Sequence, residues 1–195
     1  MGNRTLLLVR HGDYPLTIEF PQNPDGSLNA LGQKQAALLA TRLQSTKLDA
    51  IYSSPLLRAH ETTRVVAQYH PTVPLHVDDD LQECIPNVPL GLEKHFAEIP
   101  ASFIESGPAQ AERVFTTYFT PLSDDAPDRT ELIVTHGNLL GYLIARTLDA
   151  PAESWLRPDM GNCCISEIRI RANGMMKLVR HNDGAHIPPN LEHEE

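Results

Sequence analysis

The sequence predicts an α/β fold in which a largely parallel central sheet lies between two layers of helices. Short apolar runs typical of buried strands alternate along the 195 residues with longer amphipathic segments typical of helices. Near the C-terminus, the pair Asn173-Gly174 separates two further apolar runs, which is a strong hairpin signal and adds an antiparallel element. We therefore expect a three-layer α/β/α sandwich.

The first half of the chain is predicted to contain three strands and two helices. The strands follow from short apolar runs and cover residues 5–9, 50–52 and 75–77. Asn29 is a good N-cap for a helix that ends near residue 44, and Pro55 suits the first turn of a second helix. A loop is expected over residues 14–26.

The second half continues the same alternation after a loop-rich stretch. That stretch, residues 84–109, contains four prolines. Residues 132–135 form the clearest core strand of this half. Helices are expected on either side of this strand, over residues 110–119 and 139–148, and the hairpin strands over residues 165–171 and 175–179.

Length, charge and cysteine content restrict the class of protein. The length fits one domain over residues 1–195. The net charge of −9 argues against nucleic acid or an anionic membrane as a partner. No stretch has the length and apolarity of a membrane span. The three cysteines give neither a disulfide framework nor a zinc spacing, so we expect a reducing compartment and a cytoplasmic location.

Two of the predicted strands end in a His-Gly pair. His11 follows the first strand directly after Arg10, and His136 follows the strand at residues 132–135. If these strands are parallel, their ends meet at one edge of the sheet, where open α/β folds bind ligands. Arg58, on the helix after the second strand, would reach the same edge. Two guanidinium groups and two imidazoles suit a phosphoryl group.

These residues and their order resemble the histidine phosphatase superfamily, which is also called phosphoglycerate-mutase-like. Arg10-His11-Gly12 matches its defining motif, and five further blocks match in order: residues 28–36 (LNALGQKQA), 53–62 (SSPLLRAHET), 81–83 (LQE), 135–138 (THGN) and 182–186 (NDGAH). Each block is weak alone, but the ordered set is specific and covers nearly the whole chain.

The resemblance implies a role for each residue of the candidate site. Neutral His11 would attack phosphorus and form a phosphohistidine, while Glu83 would act as general acid and then as general base. The groups that would bind the phosphoryl oxygens are Arg10, Arg58, protonated His136, Gly137 and Asn138. No metal and no cofactor are expected, since the arginines supply the positive charge.

The resemblance is strongest for the phosphatase branch. Residues 155–157, 161–162 and 184–189 are similar to the mitochondrial protein serine/threonine phosphatases of the family. We therefore expect a phosphomonoester hydrolase that acts on a phosphoprotein or a small phosphomonoester, with specificity set by an insertion at residues 84–112. Phosphotransfer of the phosphoglycerate mutase type and non-catalytic binding of a phosphorylated ligand stay open, as does a homo-oligomer.

Overall fold

The computed structural model describes residues 2–15, 26–123 and 125–191, and within these residues six strands form one sheet. The strands are β1 (Arg4–Arg10), β2 (Ala50–Ser53), β3 (Leu75–Val77), β4 (Arg129–Thr135), β5 (Ile165–Ile170) and β6 (Met176–Asp183). Their order across the sheet is β3-β2-β4-β1-β5-β6. The adjacent strands β3, β2, β4 and β1 pair in parallel, and β5 runs antiparallel to both β1 and β6. The predicted fold class is confirmed.

Four helices flank this sheet in the part of the chain that the structure describes. They are α1 (Ala30–Leu43), α2 (Leu57–Ala67), α3 (Ala101–Tyr118) and α4 (Gly137–Thr147), and short 3₁₀ turns cover Asp79–Leu81, Ala152–Leu156 and Pro189–Leu191. None of the helices described is both long and apolar enough to cross a bilayer.

The alternation of side chains along β1 divides the core into two halves. Leu6 and Leu8 pack in one cluster with residues of α3 and α4, whereas Leu7 and Val9 pack in the other with residues of α1 and α2. Successive residues of a strand point to opposite faces, so a central strand covered by helices on both faces is apolar throughout. The two clusters are therefore the two interfaces of the sandwich.

Three helices begin at residues other than those predicted, and α4 begins at Gly137 rather than at residue 139. The helix α2 begins at Leu57 rather than at Pro55, because the Ser54 hydroxyl accepts a hydrogen bond from the Leu56 backbone at 3.2 Å and keeps this stretch in a turn. The helix α3 begins at Ala101, nine residues before the predicted start at 110, and continues through Pro108. An interior proline removes one helical hydrogen bond and crowds the preceding turn, yet the helix continues beyond it here.

The remaining elements lie close to their predicted positions. Asn29 caps α1 through a 2.8 Å hydrogen bond from the Gly32 backbone to its side chain. Gly174, with φ of +82°, turns the chain between β5 and β6. Most of the loop predicted over residues 14–26 lies outside the described residues.

Candidate active site

The parallel strands bring the predicted site residues to one edge of the sheet. Arg10 pairs with Thr135 in the β1–β4 ladder, and the His11 backbone donates a 3.0 Å hydrogen bond to the Thr135 carbonyl. His136 is the next residue after β4, so the two His-Gly pairs lie side by side. This confirms the expectation that the ends of these strands meet.

Arg58 joins the two histidines in a buried cluster. Its Nε donates to Nε2 of His11 at 3.1 Å, and a terminal nitrogen lies 3.1 Å from Nδ1 of His136. All three side chains are almost fully buried, and the imidazole centroids are 5.0 Å apart. A guanidinium group has only donors, so both imidazole nitrogens that face Arg58 must be acceptors.

The contacts of His11 determine its tautomer. Because Nε2 accepts from Arg58, the ring proton is on Nδ1, which donates to the Gly12 carbonyl at 2.7 Å. Burial lowers the pKa of His11 well below its usual value, and the charges of Arg58 and Arg10 lower it further. The imidazole is thus neutral near pH 7, with the lone pair of Nε2 directed toward the cationic group.

The same reasoning makes His136 neutral, whereas the sequence analysis expects it protonated. Its Nδ1 faces Arg58, and its Nε2 is 2.8 Å from the Ser54 hydroxyl, to which it donates. Burial, with the neighbouring His11 and arginines, lowers the pKa of His136 well below its usual value. The protein groups alone therefore favour the neutral ring. A phosphoryl dianion beside it would raise the pKa of His136 and favour the protonated ring.

Arg10 lies at the margin of this cluster with part of its guanidinium group unpaired. One terminal nitrogen donates to the Met160 carbonyl at 2.7 Å. Its buried Nε has no hydrogen-bond partner among the described residues. The site of a Cβ on Gly137 would be 3.6 Å from that Nε, so Arg10 is in contact with the first residue of α4. A buried donor without a partner is costly, which favours a ligand at this point.

Glu83 lies against the N-terminus of α4. Its carboxylate accepts long hydrogen bonds of 3.4 Å from the backbone of Asn138 and of Leu139, and one of 3.2 Å from the backbone of Cys84. Burial raises the pKa of Glu83, and this effect exceeds the opposite effects of these hydrogen bonds and of the Arg10 and Arg58 charges. A raised carboxyl pKa is what a general acid needs near neutrality.

A cavity of about 190 Å³ opens above these groups. Its lining comprises Arg10, Glu83, Gly137, Asn138, Trp155, Leu156, Pro158 and Met160. A second cleft, of about 440 Å³, shares Arg10 and Met160 with it and is otherwise lined mainly by residues 159–164 and 182–187. The structure thus brings every predicted site residue together, either in the buried cluster or in the lining of the smaller cavity.

Three residues that the sequence analysis did not select also contact the cluster. The Tyr14 ring meets His11 edge-on at 5.3 Å and covers the Arg58 guanidinium at 4.5 Å. Ser54 holds His136, and the Asn162 side chain donates to the His11 carbonyl at 2.8 Å. Ser54 was detectable as the residue after β2, whereas no local pattern indicated the contact between Asn162 and His11.

The loop that carries His11 is fixed by its neighbours. Gly12 and Gly32 are in close contact, and a Cβ on Gly32 would overlap the Asp13 backbone. The Gly12 backbone also donates to the Thr62 hydroxyl at 3.0 Å, and the Asp13 backbone donates to the Gln35 side chain at 2.8 Å. These contacts from α1 and α2 hold the nucleophile candidate in a single position.

Across residues 2–15, 26–123 and 125–191, no three or more His, Cys, Asp or Glu side chains lie close enough together to hold a metal ion.

Comparison with known proteins agrees with this geometry. The model of the histidine phosphatase superfamily (branch 1) matches residues 6–184. The chain belongs to this superfamily. Among curated proteins, it is 32% identical to the mitochondrial serine/threonine-protein phosphatase Pgam5 of Caenorhabditis elegans and 31% identical to the human PGAM5. Both matches cover 97% of this chain, which spans 66% of the worm protein and 65% of the human one.

Solved structures of the superfamily have the same fold. Bacillus stearothermophilus YhfR gives a TM-score of 0.75 at 24% identity, over 95% of this chain and all of that one. The alpha-ribazole phosphatase of Shigella flexneri gives 0.71 at 25% identity, over 92% of this chain and 96% of that one. A phosphoglycerate mutase from Plasmodium falciparum gives 0.63 at 24% identity, over 100% and 96%. The fold alone therefore does not separate phosphatase from mutase.

The predicted family and the resemblance to its mitochondrial protein phosphatases are confirmed, but the predicted cytoplasmic location is wrong. The curated relatives that match over nearly the whole chain are named as mitochondrial. The cysteine count on which the prediction rested reports only whether disulfides form. It does not distinguish one reducing compartment from another.

Proposed function

We propose that this chain hydrolyses phosphomonoesters in two steps through a phosphohistidine at His11. The observation that carries the proposal is the neutral His11 ring, whose Nε2 accepts from Arg58 at 3.1 Å while its Nδ1 donates to the Gly12 carbonyl. A neutral imidazole in a fixed tautomer can attack phosphorus through Nε2 once a phosphoryl group replaces Arg58 as the partner of that nitrogen. The curated relatives, which are named phosphatases, support water as the final acceptor.

In the first step, Nε2 of His11 forms a bond to phosphorus and the bond to the ester oxygen breaks. The leaving oxygen takes a proton from Glu83, whose raised pKa keeps the carboxyl available as an acid. Arg10, Arg58 and His136 stabilise the charge on the phosphoryl oxygens, together with donors of Gly137 and Asn138 at the N-terminus of α4.

In the second step, the Glu83 carboxylate takes a proton from a water molecule that attacks the phosphohistidine. The P–N bond breaks, phosphate leaves, and His11 returns to its neutral form. The two steps together replace one difficult displacement with two easier ones. We propose that no metal ion takes part, because the guanidinium groups of Arg10 and Arg58 supply the positive charge that phosphoryl transfer requires.

The remaining sequence predictions stay proposals. These are a single domain over residues 1–195, a specificity role for residues 84–112, and a phosphorylated substrate without nucleic acid or membrane as a partner. The relatives named as protein phosphatases favour a phosphoprotein.

The test is the hydrolysis of p-nitrophenyl phosphate by the wild type and by His11→Ala, with and without EDTA. We expect EDTA-insensitive turnover that is lost in His11→Ala and retained in His76→Ala, which removes an exposed histidine on β3. Wild-type turnover by His11→Ala would contradict the phosphohistidine mechanism, and loss of turnover in EDTA would contradict the metal-free one.

A further inference from the structure

A third cleft, of about 350 Å³, extends to the end of the sheet that is opposite the catalytic cluster. Its lining includes Thr5 and Thr130, which pair with each other near the start of the β1–β4 ladder. Arg10 and Thr135 pair at the other end of the same ladder. Five residues of a strand span about 17 Å, so this end of the cleft is well separated from the catalytic cluster.

Three arginines from different elements line this cleft, which we call the arginine cleft: Arg42 of α1, Arg169 of β5 and Arg180 of β6. Glu167 is the one acidic residue among the described residues of the lining. The chain as a whole, by contrast, carries a net charge of −9. A concave site with an excess of positive charge attracts anions, even in an acidic protein.

Two carboxylates hold the three guanidinium groups near one another. Glu167 accepts from Arg169 at 3.0 Å through one oxygen and from Arg180 at 3.0 Å through the other. One oxygen of Asp183 contacts Arg180 at 3.4 Å and Arg42 at 3.9 Å. Arginines and carboxylates therefore alternate, and the three arginines lie in a row with Arg180 in the middle.

This row keeps positive charge and hydrogen-bond donors available. Three guanidinium groups meet two carboxylates, so one positive charge has no counterion within the row. Arg42 lies beyond hydrogen-bond distance of Asp183, and its side chain is 45% exposed. Arg169 uses a single terminal nitrogen for Glu167, although a guanidinium group carries five N–H donors. Donors that are already oriented bind an anion at a lower entropic cost.

Structural roles explain the presence of these arginines only in part. Glu167, whose side chain is 10% exposed, requires counterions, and Arg169 and Arg180 supply them. Arg42 lies in the last turn of α1, where the helix dipole favours a positive charge. Both roles predict a loss of stability when an arginine is replaced. Neither predicts that an anion binds in a manner that depends on Arg42.

The arrangement in a row favours a ligand with two neighbouring anionic groups. Each of two such groups can contact Arg180 and one of its neighbours, whereas a single anionic group leaves one end of the row unused. Guanidinium forks match the oxygens of a phosphoryl group, and a diphosphate carries two phosphoryl groups side by side. The volume of the cleft lies at the lower end of the range of small-molecule sites, about 300–1,000 Å³.

From this arrangement we infer that the arginine cleft is a second anion site, distinct from the catalytic cluster, which binds a small molecule with a diphosphate group. Arg42 and Arg180 contact one phosphoryl group, and Arg169 and Arg180 contact the other. The inference concerns binding and goes beyond the proposed function. Free diphosphate and the diphosphate end of a nucleotide offer the same chemistry.

The test is calorimetric titration with methylenediphosphonate, a diphosphate analogue with a P–C–P bridge that is not hydrolysed. For the wild type we expect binding that Arg42→Gln weakens about tenfold or more, as loss of a charge-assisted contact does. Arg64→Gln, which removes the same charge from an exposed position on α2, should keep the wild-type affinity. Methylphosphonate, with one anionic group, should bind the cleft at least about tenfold more weakly than the diphosphonate.

Two controls separate the arginine cleft from the catalytic cluster, which also suits phosphoryl groups. The inhibition constant of methylenediphosphonate against p-nitrophenyl phosphate hydrolysis should be the same in Arg42→Gln, Arg64→Gln and the wild type. Arg10→Gln changes the catalytic cluster and leaves the lining of the arginine cleft intact. It should therefore keep the binding that depends on Arg42, which is measurable whether or not the protein hydrolyses any ester.

A nucleotide analogue distinguishes the two sources of the diphosphate group. In α,β-methylene-ADP, a nucleoside carries the same P–C–P group. Tighter binding of this analogue identifies the diphosphate end of a nucleotide, and tighter binding of free methylenediphosphonate identifies the inorganic ion. The inference requires that Arg42→Gln weaken the binding of both.

Several results would overturn the inference. Equal affinity of Arg42→Gln and the wild type for methylenediphosphonate is one, and it would leave Arg42 with a structural role alone. An equal loss in Arg64→Gln is another, because it would reflect net charge rather than a site. Arg169→Gln, in which Glu167 keeps Arg180, is a second variant and must weaken binding as well. A wild type that hydrolyses no ester would contradict the proposed function and leave this inference standing.

Discussion

The Nε of Arg58 lies 3.1 Å from Nε2 of His11, so one buried guanidinium group contacts the very nitrogen proposed to attack phosphorus. A second nitrogen of the same group reaches His136 at 3.1 Å. The rigid fork of arginine holds separate donors toward both rings, whereas lysine carries a compact ammonium group on a flexible stem. The geometry of the proposed site therefore depends on the shape of Arg58 as much as on its charge.

We expect Arg58→Lys to lower kcat/KM for p-nitrophenyl phosphate by about 10²- to 10³-fold, the range seen when one stabilising donor is removed from an active site. The positive charge is retained, but the contact to both imidazoles is lost. Arg64→Lys, six residues further along α2 and exposed, is the matched control. A value within threefold of the wild type in Arg58→Lys would contradict the assigned role.

The Tyr14 ring contributes to the burial of His11, and this burial affects the pH dependence of activity. Burial is the main cause of the low pKa of His11, and the Tyr14 ring covers this side chain. Because a base with a lowered pKa stays neutral at lower pH, the acidic limb of kcat/KM for the wild type lies below the usual histidine value of about 6.5. Tyr14→Ala should move this limb to higher pH, whereas Tyr14→Phe, which keeps the ring, should not.

The wild type and both Tyr14 variants are assayed with the same substrate, so titration of the substrate affects all three pH profiles equally. Identical profiles for Tyr14→Ala and the wild type would show that the ring does not control the pKa of His11.

Glu83→Gln should lower kcat/KM most for esters whose leaving oxygen must be protonated to depart. For n-butyl phosphate, we expect kcat/KM to fall at least about 10²-fold, whereas p-nitrophenyl phosphate should lose less than about tenfold. The wild type should also lose activity at alkaline pH as the carboxyl with its raised pKa ionises, and Glu83→Gln should lack that limb. Glu93→Gln, at an exposed glutamate, serves as the control. Equal slowing of the two esters would remove Glu83 from the acid role.

The contact of Gly32 with Asp13 gives a prediction about stability. A Cβ at residue 32 would overlap the Asp13 carbonyl, and the backbone there has no room to withdraw. We expect Gly32→Ala to lower the free energy of unfolding by about 1–3 kcal/mol, as overpacking typically does. In Gly137→Ala the new Cβ would have only ordinary contacts, the nearest 3.6 Å away, so its unfolding free energy should not fall. Denaturant titration of the two variants makes the comparison, and equal stabilities would contradict it.

The sequence predicts those site residues whose positions follow from a local sequence pattern or from the parallel pairing of strands. His11 and His136 each follow an apolar strand, and strands of the same direction bring their ends together. Arg58 follows from the helix after β2. The protonation of His136 in the presence of a phosphoryl group stays a prediction, because burial and the charges of Arg58 and Arg10, which a list of residue types does not contain, lower its pKa in the protein alone.

The features that the sequence did not predict depend on contacts between residues far apart in the chain. Asn162 reaches the His11 carbonyl across 151 residues of chain, and no local periodicity indicates that contact. Pro108 suggested a boundary, but α3 runs through it while Gly107 packs closely on the Ile85 backbone.

The most direct test of the phosphohistidine at His11 is to trap it. The wild type is mixed with substrate and quenched within milliseconds in alkali, which preserves phosphohistidine, and the digested protein is examined by mass spectrometry. The account predicts one phosphoryl group on His11 that is lost in acid and is absent from His11→Ala. Turnover by the wild type with no phosphoryl group on His11, or with one on another residue, would contradict it.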